Sequence, residues 1–292
     1  MIINFGSINV DHVYRVTAMP KPGETLAAKS CDRFLGGKGV NQSIAAHKSG
    51  AEVKHVGAVG PDGDWVLEQI KSHGVELSDI KEVAEPTGHA VILVDDEGEN
   101  QIVIFSGANL ELTFEQVDAV LAKGDPTKDW VLLQNETNLT AEIGIKAKVK
   151  GYKVAYAAAP FSADAAWEMI GTVDLLAVNE GEEKQLAEHL GAELNDAVVP
   201  MVLVTKGANG AELRAHGKVF THAAFNVSAS DTTGAGDTFL GAFLASYALN
   251  GSGEEALAFA AASSAIQVTR PGAADAIPSK EEVEAFLKER EL

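Results

Sequence analysis

The sequence predicts an α/β fold: a mostly parallel central sheet with helices on both faces, and a small β-sheet lid. Three observations carry this. Short β-rich runs alternate with helical patterns through most of the chain, and such alternation needs crossover helices and a sheet buried on both faces. Several helical patterns stop at a glycine (Gly50, Gly151, Gly191), as helices do when a left-handed residue closes them. Two β-like stretches, 11–34 and 88–106, break the rhythm and contain no crossover helix.

In chain order, 1–6 (MIINFG) reads as a buried strand and 40–49 as a helix. The run 53–59 is a strand and 65–71 a helix; 130–134 is a strand and 141–150 a helix. Strands at 153–157, 174–178 and 202–205 are separated by helices at 164–170 and 180–190. Helices at 235–249, 254–269 and 280–290 fill the C-terminal part. Within 88–106 two strands flank Asp96-Glu97-Gly98-Glu99, a hairpin signature. In 11–34, Pro20, Pro22 and Gly23 separate short β-like pieces. Together these two stretches are expected to form a second sheet covering one end of the first.

Composition narrows the function. The chain has 292 residues, 46% of them hydrophobic, enough for a sizeable core. No apolar run approaches the roughly 20 residues that span a bilayer. The start lacks a basic segment followed by a long apolar one, so no signal peptide is expected. A single cysteine, Cys31, excludes an intrachain disulfide and suits a reducing cytoplasm. Lys and Arg number 23 against 42 Asp and Glu, a net charge of −19 that opposes binding to nucleic acid or anionic membrane.

The stretch SDTTGAGDTFLGAF (230–243) places two glycines and an aspartate at the head of an apolar helix. A helix N-terminus exposes unpaired N–H groups and partial positive charge, and glycine lets a ligand approach them. Gly234, Ala235 and Gly236 therefore suit an anion site. An ordinary glycine turn with Asp237 as a helix-start carboxylate accounts for the same letters. A carboxylate beside an anion hole makes sense where it removes a proton while the amides stabilise a group in transfer, as in phosphoryl transfer. No Walker A, H-R-D or D-F-G signature is present, and the Rossmann fingerprint is missing. Asn9 and Asp11 follow the first strand, where open α/β sheets bind ligands. Gly36-Gly37-Lys38-Gly39 opens the next helix, with Lys38 and Asn41 at its mouth. Amides and a carboxylate there suit a polyhydroxylated ligand; a phosphate loop or plain caps fit the glycines equally.

Taken together, GSINVDH (6–12), PGET (22–25), FLGGKGVNQ (34–42), DDEGENQIVIFSGAN (95–109), VNEGE (178–182), TKGANG (205–210), SDTTGAGDTF (230–239) and VTRPGA (268–273) resemble the ribokinase-like (phosphofructokinase-B) carbohydrate kinase family over nearly the whole chain. The resemblance implies one catalytic domain over 1–292 with a lid from about 11–34 and 88–106. It implies ATP-dependent phosphorylation of a sugar, leaning toward the 5-hydroxyl of D-ribose. It makes Asp237 the base, and Gly234, Ala235 and Gly236 the hole for the γ-phosphate. Asn9, Asp11, Gly37, Lys38, Asn41 and Glu136 would hold the sugar. Asn179, Thr205, Lys206, Gly207, Ala208, Asn209 and Gly210 would contact ATP, and Glu182 would help place Mg²⁺ through water. Asp231, which finds no obvious partner within its own loop, would join the carbonyls of Thr233, Gln267, Arg270 and Gly272 around K⁺; a turn cap or a pair with Arg270 is the plainer alternative. Alanines stand at 261 and 276, where the family often carries a histidine near adenine and a serine near the monovalent cation. The resemblance also implies a homodimer joined through the lid. The rival readings are a kinase of the same fold acting on another sugar or a nucleoside, a non-catalytic sugar-binding protein, and a dehydrogenase.

Overall fold

The computed structural model describes residues 1–195 and 197–290. Its large sheet has nine strands: β1 (Ile2–Phe5), β4 (Val53–Val59), β5 (Ile80–Glu82), β8 (Trp130–Leu133), β9 (Lys153–Ala157), β10 (Leu175–Asn179), β11 (Met201–Thr205), β12 (Ala211–Ala215) and β13 (Lys218–His222). Their order is β13-β12-β11-β10-β9-β8-β1-β4-β5. All neighbours from β5 to β11 run parallel, and only the β11–β12–β13 edge is antiparallel. β1 and β8 are buried at every residue, as strands covered on both faces must be.

Helices cover both faces. On one side α1 (Lys38–Lys48), α7 (Ala235–Asn250) and α8 (Gly253–Gln267) pack together. Phe239, Phe243 and Leu257 fill the core with Trp130, Leu132 and Leu203 there. On the other side, Val117, Val120 and Leu121 of α3 (Phe114–Leu121) and Ile143 and Ala147 of α4 (Thr140–Lys150) pack on Phe5, Val131 and Tyr156. α2 (Asp64–Ser72), α5 (Ala163–Met169), α6 (Glu180–Leu190) and α9 (Lys280–Lys288) complete the helical layers.

The second sheet has four strands in the order β3-β2-β6-β7: β2 (Asn9–Arg15), β3 (Ser30–Gly36), β6 (Gly88–Val94) and β7 (Asn100–Phe105). β2 pairs antiparallel with β3 and parallel with β6, so the two irregular stretches meet in one sheet as expected. β7 is exposed along its whole length.

Four elements were missed by the sequence reading: α3, β5, β12 and β13. α3 is short, and its start rests on the Thr113 hydroxyl, which accepts from the Gln116 amide. β5 is only three residues long. The β12–β13 hairpin turns at His216-Gly217, both at positive φ (54° and 71°), the geometry of a two-residue hairpin that Asn-Gly or Asp-Gly ordinarily signals.

Candidate active site

Glycine creates the site by allowing close approach. At Gly39 a Cβ would lie 2.3 Å from the Ser7 amide and 2.4 Å from the Gly6 Cα, so only glycine lets α1 begin against the end of β1. At Gly36 a Cβ would fall 2.2 Å from Asp11 Oδ2; the space belongs to the carboxylate. Gly234 caps α7 in the left-handed conformation, φ 73°. Gly236 differs, since a side chain there would meet no protein atom and would occupy the cleft itself.

Two hollows meet at Gly236, and Asp237 lines the second. The first, about 340 Å³, is walled by Gly207, Ala208, Phe225, Val227, Ala261 and Ala265 and reaches Gly236. It is an apolar slot of small side chains. The second, about 220 Å³, joins Lys38, Gln42, Asn179, Glu182, Gly236 and Asp237. A third pocket, about 230 Å³, holds Asn9, Asn109, Glu136 and Ile104 of the lid.

Every acid here has a defined setting. Asp237 opens toward the cleft and is enclosed by protein elsewhere. Gln42 Nε2 donates to its Oδ1 at 2.9 Å and Asn41 Nδ2 approaches its Oδ2 at 3.4 Å. Burial pushes the Asp237 carboxyl above the usual range, against the pull of the Lys38 charge and the Gln42 bond. Burial, reinforced by the negative charge of Glu136, raises Asp11 to about 6. Glu136 Oε2 accepts from the Lys38 amide at 2.9 Å and from the Ser7 hydroxyl, pinning the glycine turn. Asn109 accepts from the Ile8 amide and donates to Asn9 Oδ1 at 2.7 Å, fixing the first lid strand. At the head of α7 the Ala235 amide is already engaged by Thr232 O at 3.2 Å. Among the described residues no protein carbonyl accepts from the amides of Gly236 and Asp237, so these are the donors left facing the cleft.

The expected residues separate into groups. Asn9, Asp11, Gly37, Asn41 and Glu136 gather at the junction of lid and sheet, while Lys38 lines the Asp237 cleft. Thr205, Gly207, Ala208 and Gly210 line the apolar slot. Lys206 turns away, its ammonium 2.8 Å from Glu212, and Asn209 stands exposed on the turn. Asn179 caps α6 in a capping box whose other half is Glu182, and both border the cleft.

Asp231 does have partners: Oδ1 accepts from the Thr233 amide and Oδ2 from the Gly272 amide, each at 2.9 Å. Burial raises its pKa, but these two amides outweigh that and leave it below the usual value. Arg270 pairs instead with Glu282. Gln267 reaches the loop by its side chain, Nε2 donating to Thr233 O at 2.8 Å, and its Oε1 is buried without a partner. Its main-chain carbonyl accepts from the Arg270 amide. Ala261 and Ala276 are both buried.

The sequence reading assigned no role to Asn4, Ser7, Gln42, Asn109 or Gln134, all buried polar side chains at the base of the site. The available signal was their chemistry: amides standing among residues that otherwise read as core.

Among the described residues no group of three or more His, Cys, Asp or Glu could cage a metal ion. The Glu182 carboxylate on the cleft wall suits a hard cation that takes most of its ligands from phosphate and water.

Free amides at a helix start, an acid beside them and an adjoining polar pocket are what a phosphotransferase acting on small polar molecules requires. Residues 1–280 match the pfkB family carbohydrate kinase model, and the chain belongs to that family. It is 36% identical over 301 residues to ribokinase of Haemophilus influenzae, covering 97% of each chain. Ribokinase of Thermotoga maritima superposes with a TM-score of 0.87 at 36% identity over 99% of both chains. Ribokinase of Arabidopsis thaliana, solved with ribose and ATP, superposes with a TM-score of 0.85 at 30% identity over 98% of both. These relatives span the whole architecture, lid included.

Proposed function

We propose that the chain is an ATP-dependent sugar kinase that converts D-ribose to ribose 5-phosphate. The observation that carries this is the position of Asp237, a base with raised proton affinity between a polar pocket and the free amides heading α7. Asp237 takes the proton of the sugar's 5-hydroxyl as that oxygen attacks the γ-phosphorus. The bond from γ-phosphorus to the β,γ-bridging oxygen breaks, and its electron pair leaves with ADP. The Gly236 and Asp237 amides, with the Lys38 charge, stabilise the transferring group. Asn9, Asp11 and Asn41 orient the sugar and Glu136 holds the turn around it. Thr205, Gly207, Ala208 and Gly210 shape the nucleotide slot.

Mg²⁺ on the phosphates would neutralise developing charge, with Glu182 holding its waters. K⁺ would sit beside Asp231 and the carbonyls of Thr233, Gln267, Arg270 and Gly272, ordering the turn into α7 without touching phosphate. A cage made mostly of carbonyls suits a large, weakly hydrated cation.

The chain works as one catalytic unit with its lid, as a homodimer in the cytoplasm, where the exposed, unpaired Cys31 stays reduced. Support for the dimer comes from register. Asp11 lies in one row with Phe34, Ala90 and Ile104, and Asp32, Val13, Ile92 and Ile102 form the row two residues on, hence on the same face, apolar from β2 to β7 in that row. Ile102 is 53% exposed and Ile104 50%, an apolar continuation of the sugar face that a second lid would cover.

A coupled ADP-release assay with ribose, fructose, 2-deoxyribose and adenosine tests the reading. Ribose is expected to be turned over most efficiently. Preference for adenosine, or no turnover of any of the four, overturns it.

A further inference from the structure

Beneath the site runs a chain of buried side-chain amides. Gln42 Nε2 donates to Asp237 Oδ1 at 2.9 Å, and Gln42 Oε1 accepts from Gln134 Nε2 at 2.8 Å. Gln134 Nε2 also donates to Asn4 Oδ1 at 2.9 Å. Asn4 Nδ2 donates to the main-chain oxygen of Gly39 and to Ser43 Oγ, both at 2.8 Å. Ser43 Oγ in turn lies 2.8 Å from His55 Nδ1. Asn4, Gln42, Ser43, His55 and Gln134 are all buried.

The direction of this chain follows from one fixed point. A carbonyl oxygen only accepts, so the Asn4 atom beside Gly39 O is nitrogen and its other end is oxygen. Facing that oxygen, Gln134 presents nitrogen. The same nitrogen has only Gln42 oxygen to donate to, and Gln42 is left with nitrogen toward Asp237. Each amide inherits its orientation from the one before. Gln134 Oε1 is buried without a partner, the cost of placing both N–H groups of Gln134 in the chain. Gly6 is part of the device, since a Cβ there would stand 2.9 Å from Gln134 Oε1 and 3.1 Å from Asn4 Oδ1.

We propose that Asn4 and Gln134 are positioning residues for the phosphoryl-transfer step: they fix the Gln42 amide with its N–H toward Asp237 Oδ1, which holds one carboxylate oxygen as an acceptor and leaves Oδ2 to take the substrate proton. Neither residue touches the cleft. Without the relay the Gln42 amide is free to turn its oxygen to Asp237, and the ionised carboxylate loses its strongest neutral donor. The other charges facing Asp237 are Lys38 and Glu136, and both stay in place. His55, at the far end, is held near pKa 4 by burial and is neutral throughout the working range.

The inference rests on the kinase reading above, so wild-type turnover of ribose is the first measurement; its absence removes that reading and leaves the relay to the titration described below. In Gln134→Met, kcat on the acid limb of its pH profile should fall about 10- to 100-fold, the factor matching one lost bond to a charged group, with the KM for ribose little changed. The acid limb of the kcat profile should move to higher pH. In a Gln42→Met background the same change should add nothing, because the relay acts only through Gln42. Gln134→Glu, nearly isosteric, serves if the methionine variant fails to fold: its ionised side chain accepts from Gln42 and turns that amide around. Carboxyl carbon NMR of the unliganded enzyme reads the Asp237 titration directly and should show it raised in either variant. Folded variants with an unmoved Asp237 titration and wild-type kcat overturn the proposal. So does an equal loss of ribose binding, ADP binding and thermal stability, which marks a packing role only.

Discussion

The two walls of the cleft are built on different principles. On the wall proposed for the sugar the surface is side chains: Asn9, Asn41 and Glu136, each tied to a neighbour, and Asp11, whose proton affinity burial raises, above a buried floor of amides. On the wall proposed for the nucleotide it is main chain and small apolar groups, with Gly207, Ala208, Gly210, Ala261 and Ala265 around two aromatics, Phe225 and Phe239. On the proposed function, one wall would recognise by donors and acceptors and the other by shape. Changing one polar atom should be severe on the first and mild on the second, and Asp237, next to the Gly236 where the hollows meet, should be the most sensitive position.

Asp237→Asn is therefore the largest expected effect, a loss of roughly 10²–10⁴ in kcat, the usual share of a positioned base. Ribose and nucleotide binding should persist. The variant should also melt no lower than wild type at neutral pH. Burial raises the folded-state pKa of Asp237, so ionisation costs stability once pH exceeds its unfolded value, and the neutral amide removes that cost. Retention of more than about a tenth of wild-type kcat would exclude Asp237 as the base.

Next comes Asp11→Asn, which should weaken ribose about 10- to 100-fold, equivalent to about 1–3 kcal/mol for lost acceptors, and leave ADP binding intact. Wild-type affinity for ribose should decline as pH falls through about 6, where the raised Asp11 carboxyl takes up a proton and stops accepting from two hydroxyls. The asparagine variant should lack that decline. Calorimetry with each ligand separately decides the matter: equal weakening of both would place Asp11 in folding and erase the contrast between the walls.

The same contrast explains what could be seen in the sequence. Glycine turns and the polar residues beside them stand close together along the chain, so GGKG at 36–39 and GAGD at 234–237 marked the two edges of the proposed site. The alternation of strands and helices gave the parallel sheet, and 88–106 its hairpin. The amide floor was not visible, because Asn4, Gln42 and Gln134 come from β1, α1 and the end of β8, and only strand order makes them neighbours. The nucleotide slot offered little to read, since alanine and glycine carry no chemical signature of a ligand. At 216–217 a histidine takes the positive-φ place that asparagine or aspartate usually marks, and the hairpin at the sheet edge went unread.

The lid belongs to the sugar wall, and its edge sharpens the comparison. Ile102→Glu places a charge on the apolar face proposed to meet a second lid. Light scattering should then show the mass falling from dimer to monomer, with a higher KM for ribose and unchanged ADP affinity. A wild-type protein that is already monomeric and fully active would remove the dimer.

The smallest expected effect lies behind the nucleotide wall, at Asp231. Its carboxylate ties the Thr233 amide to the Gly272 amide and so joins the turn before α7 to the loop after α8. Each oxygen spends one lone pair on those bonds and keeps capacity for a cation. The buried Gln267 Oε1, without a partner, adds to the unused oxygen around this loop. A K⁺ ion bound here would lie away from phosphate and act by holding the Thr232–Gly236 turn so that its amides converge. Replacing NaCl by KCl at fixed ionic strength should therefore raise kcat a few-fold and leave the KM for ribose unchanged, because the sugar wall is built from other loops. Asp231→Ala should abolish the difference between the two salts. It should also lower basal activity, since the loop loses its two amide bonds whichever cation is present. The decisive quantity is the ratio of activities in potassium and sodium. A ratio of one in the wild type, or the same ratio in wild type and variant, would make Asp231 a turn cap and nothing more.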